Sequence, residues 1–309
     1  MIYLESFKLA SRNQEENILT GDDGASGLVP KGFHTHLVDM TCFSNNNVYP
    51  FKIFPEKGVE RLSFEPITIF YGGNGSGKST ILNVIAEKLD LDRSAPFNKT
   101  PFTEEYLRLC SYKTAREGRI PRQSAIITSD DVFDFLLDIR SINQGIDDRR
   151  NALMAEYDRL SDPNHHYQLG SLEEYHTLKQ KNKARRSTKS AYVSSEMASR
   201  EVQGQSNGES AYLYFTERIK ENALYLLDEP ENSLAPKLQL ELMRYIEESV
   251  RFYGCQFIIS SHSPFLLSLK GARIYDLDAR PVETKRWTEL ENVRMYYDFF
   301  KDRKGDFEK

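Results

Sequence analysis

The segment Gly72-Gly73-Asn74-Gly75-Ser76-Gly77-Lys78-Ser79 matches GxxxxGK[ST] at every fixed position. An apolar, β-branched run at 67–70 precedes it, and residues 79–89 carry apolar side chains at the spacing of one helix face. A strand, a glycine-rich turn and a helix in this order are typical of a loop that binds phosphate at a helix N-terminus. The stretch therefore predicts a nucleotide site, in which Lys78 reaches the β- and γ-phosphates and Ser79 binds Mg²⁺. Thr80, the next residue, completes the predicted nucleotide-binding loop.

A second motif lies at the end of the apolar run 224–227, which stops abruptly at Asp228, Glu229 and Pro230. An aspartate at the tip of a buried strand can hold magnesium, and a glutamate beside it can polarise the water that attacks a γ-phosphate. We therefore assign Asp228 to the metal and Glu229 to catalysis.

Short apolar runs predict a mainly parallel sheet in an α/β fold. They are Ala125–Thr128, Ala223–Leu227 and Cys255–Ile259, each short enough for a strand buried on both faces. Val48–Phe54 and Glu60–Phe64 predict an N-terminal antiparallel hairpin that turns at 55–58. Residues 11–35 are rich in Asn, Gln, Glu, Asp and Gly, and we expect a loop there.

Two further motifs lie on either side of the acidic strand end. Ser206-Asn207-Gly208-Glu209-Ser210 lies 22 residues before Asp228, and Ser260-Ser261-His262 follows the strand 255–259. Between them, Glu231-Asn232-Ser233-Leu234 follows the acidic strand end. This series of phosphate loop, signature, acidic strand, interface loop and histidine resembles the ATP-binding cassette (ABC) ATPases over residues 48–90 and 120–270.

The resemblance implies an ABC-type P-loop fold with ATP and Mg²⁺ as cofactors. It implies hydrolysis of ATP to ADP and phosphate, with Lys78, Glu229 and His262 as catalytic residues. It also implies a homodimer or higher homo-oligomer in which Ser206 and Gly208 of one copy cover the γ-phosphate held by the other. His262 would then hydrogen-bond that phosphate.

The chain departs from the family pattern at several positions. Asn207 and Glu209 replace the usual Gly and Gln of the signature, and Ala235 replaces an aspartate that often ends the interface loop. Asp130 or Asp131 stands where the family has a glutamine that contacts magnesium. An aromatic side chain that stacks on adenine is expected upstream of the phosphate loop, and the candidates are Tyr49, Phe51 and Phe54.

A polar segment separates the phosphate loop from the signature. We interpret 1–309 as a single ABC-type ATPase domain with an inserted helical arm at 138–200, broken at 162–164. Between 179 and 189 the arm carries six cations and no acidic residue: Lys179, Lys181, Lys183, Arg185, Arg186 and Lys189. These cations could bind a nucleic-acid backbone, or they could form a solvated helix face.

Composition excludes several classes of protein. Hydrophobic residues make up 39% and charged residues 28% of the 309, with a net charge of −5, so the whole chain is not a polycation that coats nucleic acid. No long apolar run predicts a membrane span or a secretory signal, and we expect a cytoplasmic protein without membrane insertion. Cys42, Cys110 and Cys255 are far apart, so we expect reduced thiols rather than disulfides or a zinc site.

Two main functions compete, and a third possibility is a structural clamp that binds ATP and hydrolyses it negligibly. The first is an ATP-hydrolysing switch that couples closure of a dimer to a nucleic acid or an effector protein, such as a nuclease, in DNA maintenance or phage defence. The second is the ATP-hydrolysing subunit of a membrane transporter. The long arm and the atypical signature favour the first. The aromatic segment 287–307 predicts a C-terminal amphipathic helix, which we expect to cover the sheet rather than to form part of an interface.

Overall fold

The computed structural model describes residues 1–20, 48–97, 99–115, 118–162, 175–197 and 207–308. Strands in these ranges are β1 Leu4–Lys8, β2 Arg61–Ser63, β3 Ile67–Tyr71, β4 Ser111–Thr114, β5 Ala125–Thr128, β6 Leu224–Asp228, β7 Gln256–Ser260, β8 Arg273–Asp276 and β9 Glu283–Lys285. Helices are α1 Arg12–Thr20, α2 Lys78–Lys88, α3 Thr103–Leu109, α4 Ser129–Ser161, α5 Tyr175–Arg186, α6 Lys189–Glu196, α7 Asn207–Arg218, α8 Pro236–Phe252, α9 Pro264–Leu267, α10 Glu291–Asp302 and α11 Lys304–Phe307.

The main sheet has six strands in the order β5-β6-β7-β3-β8-β9. The first five strands of this order pair in parallel, and β9 pairs antiparallel with β8. The central strands β3 and β7 are buried along their whole length, as expected of strands covered on both faces. Paired residues place Thr128, Asp228, Ser260 and Phe70 in one row at the carboxyl ends of four adjacent strands. The predicted α/β fold with a mainly parallel sheet is confirmed.

A second sheet, ordered β2-β1-β4, is antiparallel. It confirms the antiparallel portion, but the predicted hairpin is wrong: β2 pairs with β1, with Phe7 opposite Leu62. Residues 48–54 form turns, and Lys52 has a φ of 70°, which no regular strand contains. The Lys52 N–H bonds to Glu15 Oε2 at 2.6 Å, so this segment is tied to α1 instead of to a strand.

The expected loop at 11–35 is also wrong over its first part, where α1 forms. Ser11 and Gln14 cap this helix reciprocally: the Ser11 N–H donates to Gln14 Oε1 at 3.0 Å, and the Gln14 N–H donates to Ser11 Oγ at 3.4 Å. Ile18 and Glu15 on one face of the helix are buried. Residues 21–35 of the predicted loop lie outside the described ranges.

The chain divides into two units, Met1–Phe133 with Gly208–Lys309, and Asp134–Asn207. The described residues of the second unit lie mainly in α4, α5 and α6, within the region where an inserted arm is predicted at 138–200, and α4 ends at Ser161. Its small core joins Leu160, Ala184 and Tyr192, with Tyr157 packed against it. The hydroxyl of Tyr157 donates to the Ser187 carbonyl at 3.0 Å, which ties the end of α4 to the α5–α6 turn.

The prediction that the C-terminal helix covers the sheet is wrong. Only Val293 of α10 is buried. Its large side chains are between 50% and 66% exposed; they are Met295, Tyr296, Tyr297, Phe299 and Phe300. Helix α10 is amphipathic, as predicted, but its aromatic face points away from the core.

Candidate functional site

The phosphate loop joins β3 to α2, and its backbone is one that glycine favours. Gly75 and Gly77 have φ values of 78° and 93°, in the left-handed region where other residues are strained. Gly77 lies directly before α2, so the backbone N–H groups at the end of the loop lie at the N-terminus of this helix. Ser76 Oγ is buried and has no hydrogen-bond partner among the described residues, as expected of a polar atom at a site that takes a polar ligand.

Lys78 is buried at the first turn of α2. Its Nζ donates to the carbonyl oxygens of Gly72 and Gly73, at 2.8 and 3.1 Å, and lies 3.3 Å from Glu229 Oε1. The ammonium group therefore lies between the phosphate loop and the end of β6. The sequence predicted both residues for one site, and the sheet brings them together.

Ser79 and Asp228 are also adjacent. Ser79 Oγ donates to Asp228 Oδ1 at 3.1 Å, and Ser260 Oγ donates to the same carboxylate oxygen. Burial raises the pKa of Asp228, while the hydrogen bonds from Ser260 and Ser79 act in the opposite direction. A hydroxyl and a carboxylate side by side are the hard oxygen donors that suit Mg²⁺, so these residues fit the predicted metal.

Glu229 follows β6 in a left-handed conformation, with φ 47° and ψ 54°. Its N–H donates to Ser260 Oγ at 3.0 Å, and its Oε2 accepts from Asn232 Nδ2 at 3.0 Å. Burial pushes the pKa of Glu229 upward, but the Asn232 hydrogen bond and the Lys78 ammonium outweigh it, and the pKa lies below its ordinary value. The lowered pKa therefore favours the charged carboxylate form of Glu229.

His262 lies beyond the end of β7, with its side chain 49% exposed. Its Nδ1 is 3.9 Å from Glu229 Oε1 and 3.5 Å from Glu231 Oε1. The His262 ring, the Glu229 carboxylate and the Lys78 ammonium thus form one cluster. The sequence predicted these three residues but gave Glu231 no role beyond membership of the interface loop. The only hint in the sequence that Glu231 belongs to the site was its position two residues after Glu229.

A cavity of about 610 Å³ opens beside Ser79 and Asp228. Asp130 lines this cavity. Asp131 is buried instead and accepts hydrogen bonds from the Ala95 and Thr128 N–H groups, at 2.6 and 2.7 Å. Of the two aspartates that could replace the missing glutamine, Asp130 is therefore the one that faces the predicted metal site.

The three aromatic candidates for stacking on adenine lie in different surroundings. Tyr49 lines the same cavity, and its hydroxyl donates to Thr80 Oγ1 at 3.1 Å. Phe51 and Phe54 are buried in the hydrophobic core, where both rings pack on Tyr106. Tyr49 is thus the one of the three that is open to a ligand beside the phosphate loop.

The signature is described in part. Ser206 lies outside the described residues, whereas Asn207 and Gly208 begin α7, as the predicted helical stretch requires. A Cβ on Gly208 would approach Leu238 Cδ1 to 2.8 Å, so a larger residue would require that side chain to move. The contact of Gly208 with nucleotide held by a second copy stays a prediction.

One comparison with known protein families matches part of the chain. A family model described as "AAA domain, putative AbiEii toxin, Type IV TA system" matches residues 196–268, which include Gly208, the acidic strand end and His262. No curated protein sequence matches the chain. The predicted resemblance to the ABC-type P-loop ATPases is confirmed.

Solved structures to which the chain is similar include an ATP-binding cassette and two Smc head domains. The ATP-binding cassette MJ0796 bound to ADP and Pi is 15% identical, with a TM-score of 0.35, covering 74% of this chain and 90% of that one. An SmcHead bound to the C-winged helix domain of ScpA is 16% identical, with a TM-score of 0.37, covering 76% and 94%. An Smc head domain in a complex from Pyrococcus furiosus is 14% identical, with a TM-score of 0.37, covering 79% and 95%.

Proposed function

We propose that this chain, which has the fold and motif order of the ABC-type P-loop ATPases, is an ATP-hydrolysing switch. Two copies close on Mg²⁺–ATP, and closure is passed to a partner molecule. The observation that carries the proposal is the cluster of Lys78, Glu229 and His262, next to Ser79 and Asp228, at the carboxyl edge of one parallel sheet. Ligands of open α/β sheets bind at this edge.

The cluster suits hydrolysis of a phosphoanhydride. The oxygen of a water attacks the γ-phosphorus, the bond to the β–γ bridging oxygen breaks, and ADP and phosphate leave. Glu229, held as a carboxylate, takes the proton of the attacking water. Lys78 stabilises negative charge on the β- and γ-phosphates, and the imidazole of His262 orients the water or the γ-phosphate.

Magnesium would be held by Ser79 and Asp228, with Asp130 facing the same cavity. When bound, the ion supplies positive charge against the phosphate oxygens. Hydrogen bonds from Ser79 and Ser260 hold the carboxylate of Asp228 at this position.

Closure of two copies would complete the site. In the proposed dimer, Ser206 and Gly208 of one copy cover the γ-phosphate that the other copy's phosphate loop holds. The position of Gly208 at the start of α7 supports this, because a helix N-terminus presents N–H groups to an anion.

For the partner, we favour an effector protein over a nucleic acid. Two arm cations already have acidic neighbours within the arm: Lys183 pairs with Glu196, and Lys189 Nζ lies 2.6 Å from Asp158 Oδ2. Cations that pair with carboxylates are less available to phosphates. A role in defence is supported by the description of the matching family as a putative AbiEii toxin. No helix among the described residues is long and apolar enough to cross a bilayer.

The proposal is tested by phosphate release from Mg²⁺–ATP and by titration of a fluorescent ATP analogue. We expect wild type to turn over ATP, and Lys78→Ala to lose at least about a hundredfold in ATP affinity, because a buried charge facing the phosphates is removed. Lys88→Ala is the matched control, since Lys88 lies at the other end of the same helix and donates to the Leu107 carbonyl. Unchanged ATP affinity in Lys78→Ala would rule out the assigned phosphate loop.

A further inference from the structure

Glu231 is a buried carboxyl group between two loops of the site. It lies in the short turn Pro230–Ser233 that follows β6, and only 6% of the residue is exposed. The loop after β7, residues 261–263, carries His262 and packs against it. A side chain of this kind is almost never buried without partners.

One oxygen of Glu231 receives three hydrogen bonds from the histidine loop. The donors to Oε1 are Ser261 Oγ at 2.8 Å, the His262 N–H at 2.8 Å and the Ser263 N–H at 3.1 Å. Two successive backbone N–H groups that converge on one oxygen fix the backbone on both sides of His262. Ser261 and Ser263 are themselves buried, so water cannot replace the carboxyl group at either residue without local opening.

The same oxygen also faces the histidine ring. His262 Nδ1 lies 3.5 Å from Glu231 Oε1 and 3.9 Å from Glu229 Oε1. The ring is half exposed, so neighbouring side chains do not hold it by packing alone. Its orientation relative to Glu229 therefore depends on the backbone that Glu231 holds and on the carboxyl oxygen beside Nδ1.

We propose that Glu231 is a positioning residue that links the interface loop to His262 and holds the imidazole beside Glu229 in a hydrolysis-competent orientation. The proposal rests on the proposed ATPase function. Glu231 itself does not touch the phosphates or the water. Because it lies in the loop that would cross the dimer interface, movement of that loop on closure would be transmitted to His262.

The test is a set of variants measured for steady-state kcat and KM, for affinity of an ATP analogue and for thermal unfolding. Glu231→Ala removes the acceptor oxygen. We expect kcat to fall by about tenfold to a hundredfold, which is at or below the roughly 10²–10⁴-fold contribution of a positioned acid–base group, because the imidazole is misplaced rather than removed. ATP affinity should change by less than about threefold. Glu231→Gln keeps one carbonyl oxygen for the three donors, and it should recover most of the rate. Glu247→Ala is the matched control, because Glu247 accepts the Lys270 N–H at 3.2 Å on an exposed surface of α8.

A double-mutant cycle separates positioning from general stability. If Glu231 acts through His262, then Glu231→Ala in a His262→Ala background should lower kcat by less than about twofold further. Additive losses would overturn the proposal, as would a kcat of Glu231→Ala equal to that of Glu247→Ala. If Glu231→Ala does not fold, Glu231→Gln carries the test, and a Gln variant as slow as His262→Ala would overturn it.

Failure of the proposed function is distinguishable from failure of this inference. If wild type binds ATP but does not turn it over, NMR can still show whether Glu231 positions His262. The signals of the His262 imidazole are assigned by their loss in His262→Ala. We expect these signals to shift and broaden in Glu231→Ala and to stay near their wild-type positions in Glu231→Gln and Glu247→Ala. Wild-type signals in Glu231→Ala would overturn the inference whatever the ATPase result.

Discussion

Glu229 shows how a single residue is strained at the centre of the site. Its φ of 47° places a non-glycine residue in the left-handed region, at a cost of about 1–3 kcal/mol. The surroundings compensate through the N–H bond to Ser260 Oγ and the side-chain bond from Asn232. The conformation turns the carboxylate toward Lys78 and His262, which a continued strand would not do, because successive side chains of a strand point to opposite faces.

Glu15 should make the free energy of unfolding depend on pH. Its side chain is buried, and burial raises its pKa from 4.5 to about 7, although the Lys52 N–H bond acts against this rise. Between these two pH values the folded chain binds more protons at Glu15 than the unfolded chain, so its contribution to stability is present at low pH and is lost as the pH rises through about 7.

We expect Glu15→Gln to be more stable than wild type by about 1–3 kcal/mol at pH 8.5, since the amide has no charge to bury. At pH 5 the difference should largely disappear. Urea unfolding at the two pH values measures both free energies. A difference independent of pH would show that Glu15 titrates normally.

At the scale of elements, α8 and α10 are both amphipathic but differ in what they bury. Leu242 and Ile246 of α8 are fully buried, whereas the aromatic face of α10 is exposed. The sequence pattern of α10 matches a helix that covers a core, because periodicity reports an apolar face without reporting what lies opposite it.

Alanine substitutions distinguish the two helices. Leu242→Ala should lower the free energy of unfolding by about 2–5 kcal/mol, as expected for a buried leucine. Phe300→Ala should lower it by less than about 1 kcal/mol, because the ring is 53% exposed and contacts Phe299 and Phe307 on the same surface. Chemical unfolding of both variants measures this, and equal losses would contradict the exposure of α10.

The basic arm is the second element with a direct test. Replacing Lys179, Lys181, Lys183, Arg185, Arg186 and Lys189 with Gln removes every cation between 179 and 189. If the arm binds duplex phosphates, affinity should fall with salt at a log–log slope of about −0.9 per neutralised phosphate, and the variant should flatten that slope for all sequences alike. ATPase activity without nucleic acid should survive.

Anisotropy of labelled duplex and single-stranded DNA or RNA, measured across a salt series with and without ATP, decides this point. The pairing of Lys183 with Glu196 and of Lys189 with Asp158 leads us to expect a shallow slope in wild type. Equally poor binding by wild type and the six-Gln variant would leave a protein partner as the supported reading. A steep slope that the variant loses would instead support nucleic acid.

For the whole molecule, the proposed mechanism predicts association that depends on nucleotide. Glu229→Gln keeps the shape of the side chain but cannot accept the water's proton, so ATP should stay bound and hold two copies together through Ser206 and Gly208. Light scattering after size exclusion should give twice the 35.7 kDa chain mass with Mg²⁺–ATP and a smaller mass with ADP. A mass that does not change with ATP, at high protein concentration and without a pre-formed oligomer, would contradict the sandwich.

Sequence patterns alone were enough to predict the phosphate loop, the acidic end of β6, the mainly parallel sheet and the order of motifs. These features depend on short patterns: glycines at positive φ, apolar runs of strand length, and charged residues directly after them. The adjacency of Lys78, Glu229 and His262 could also be predicted, because the carboxyl ends of parallel strands meet at one edge of a sheet.

The folded structure was needed to show which distant segments of the chain meet. It paired β2 with β1 and left 48–54 as turns tied to Glu15. It placed Asp130 in the cavity and Asp131 in a buried hydrogen-bond network, although the two are neighbours of the same type. It gave Glu231 its three donors, which come from 30 to 32 residues away. The contacts of these residues depend on packing between distant parts of the chain. They therefore cannot be predicted from the neighbouring residues in the sequence.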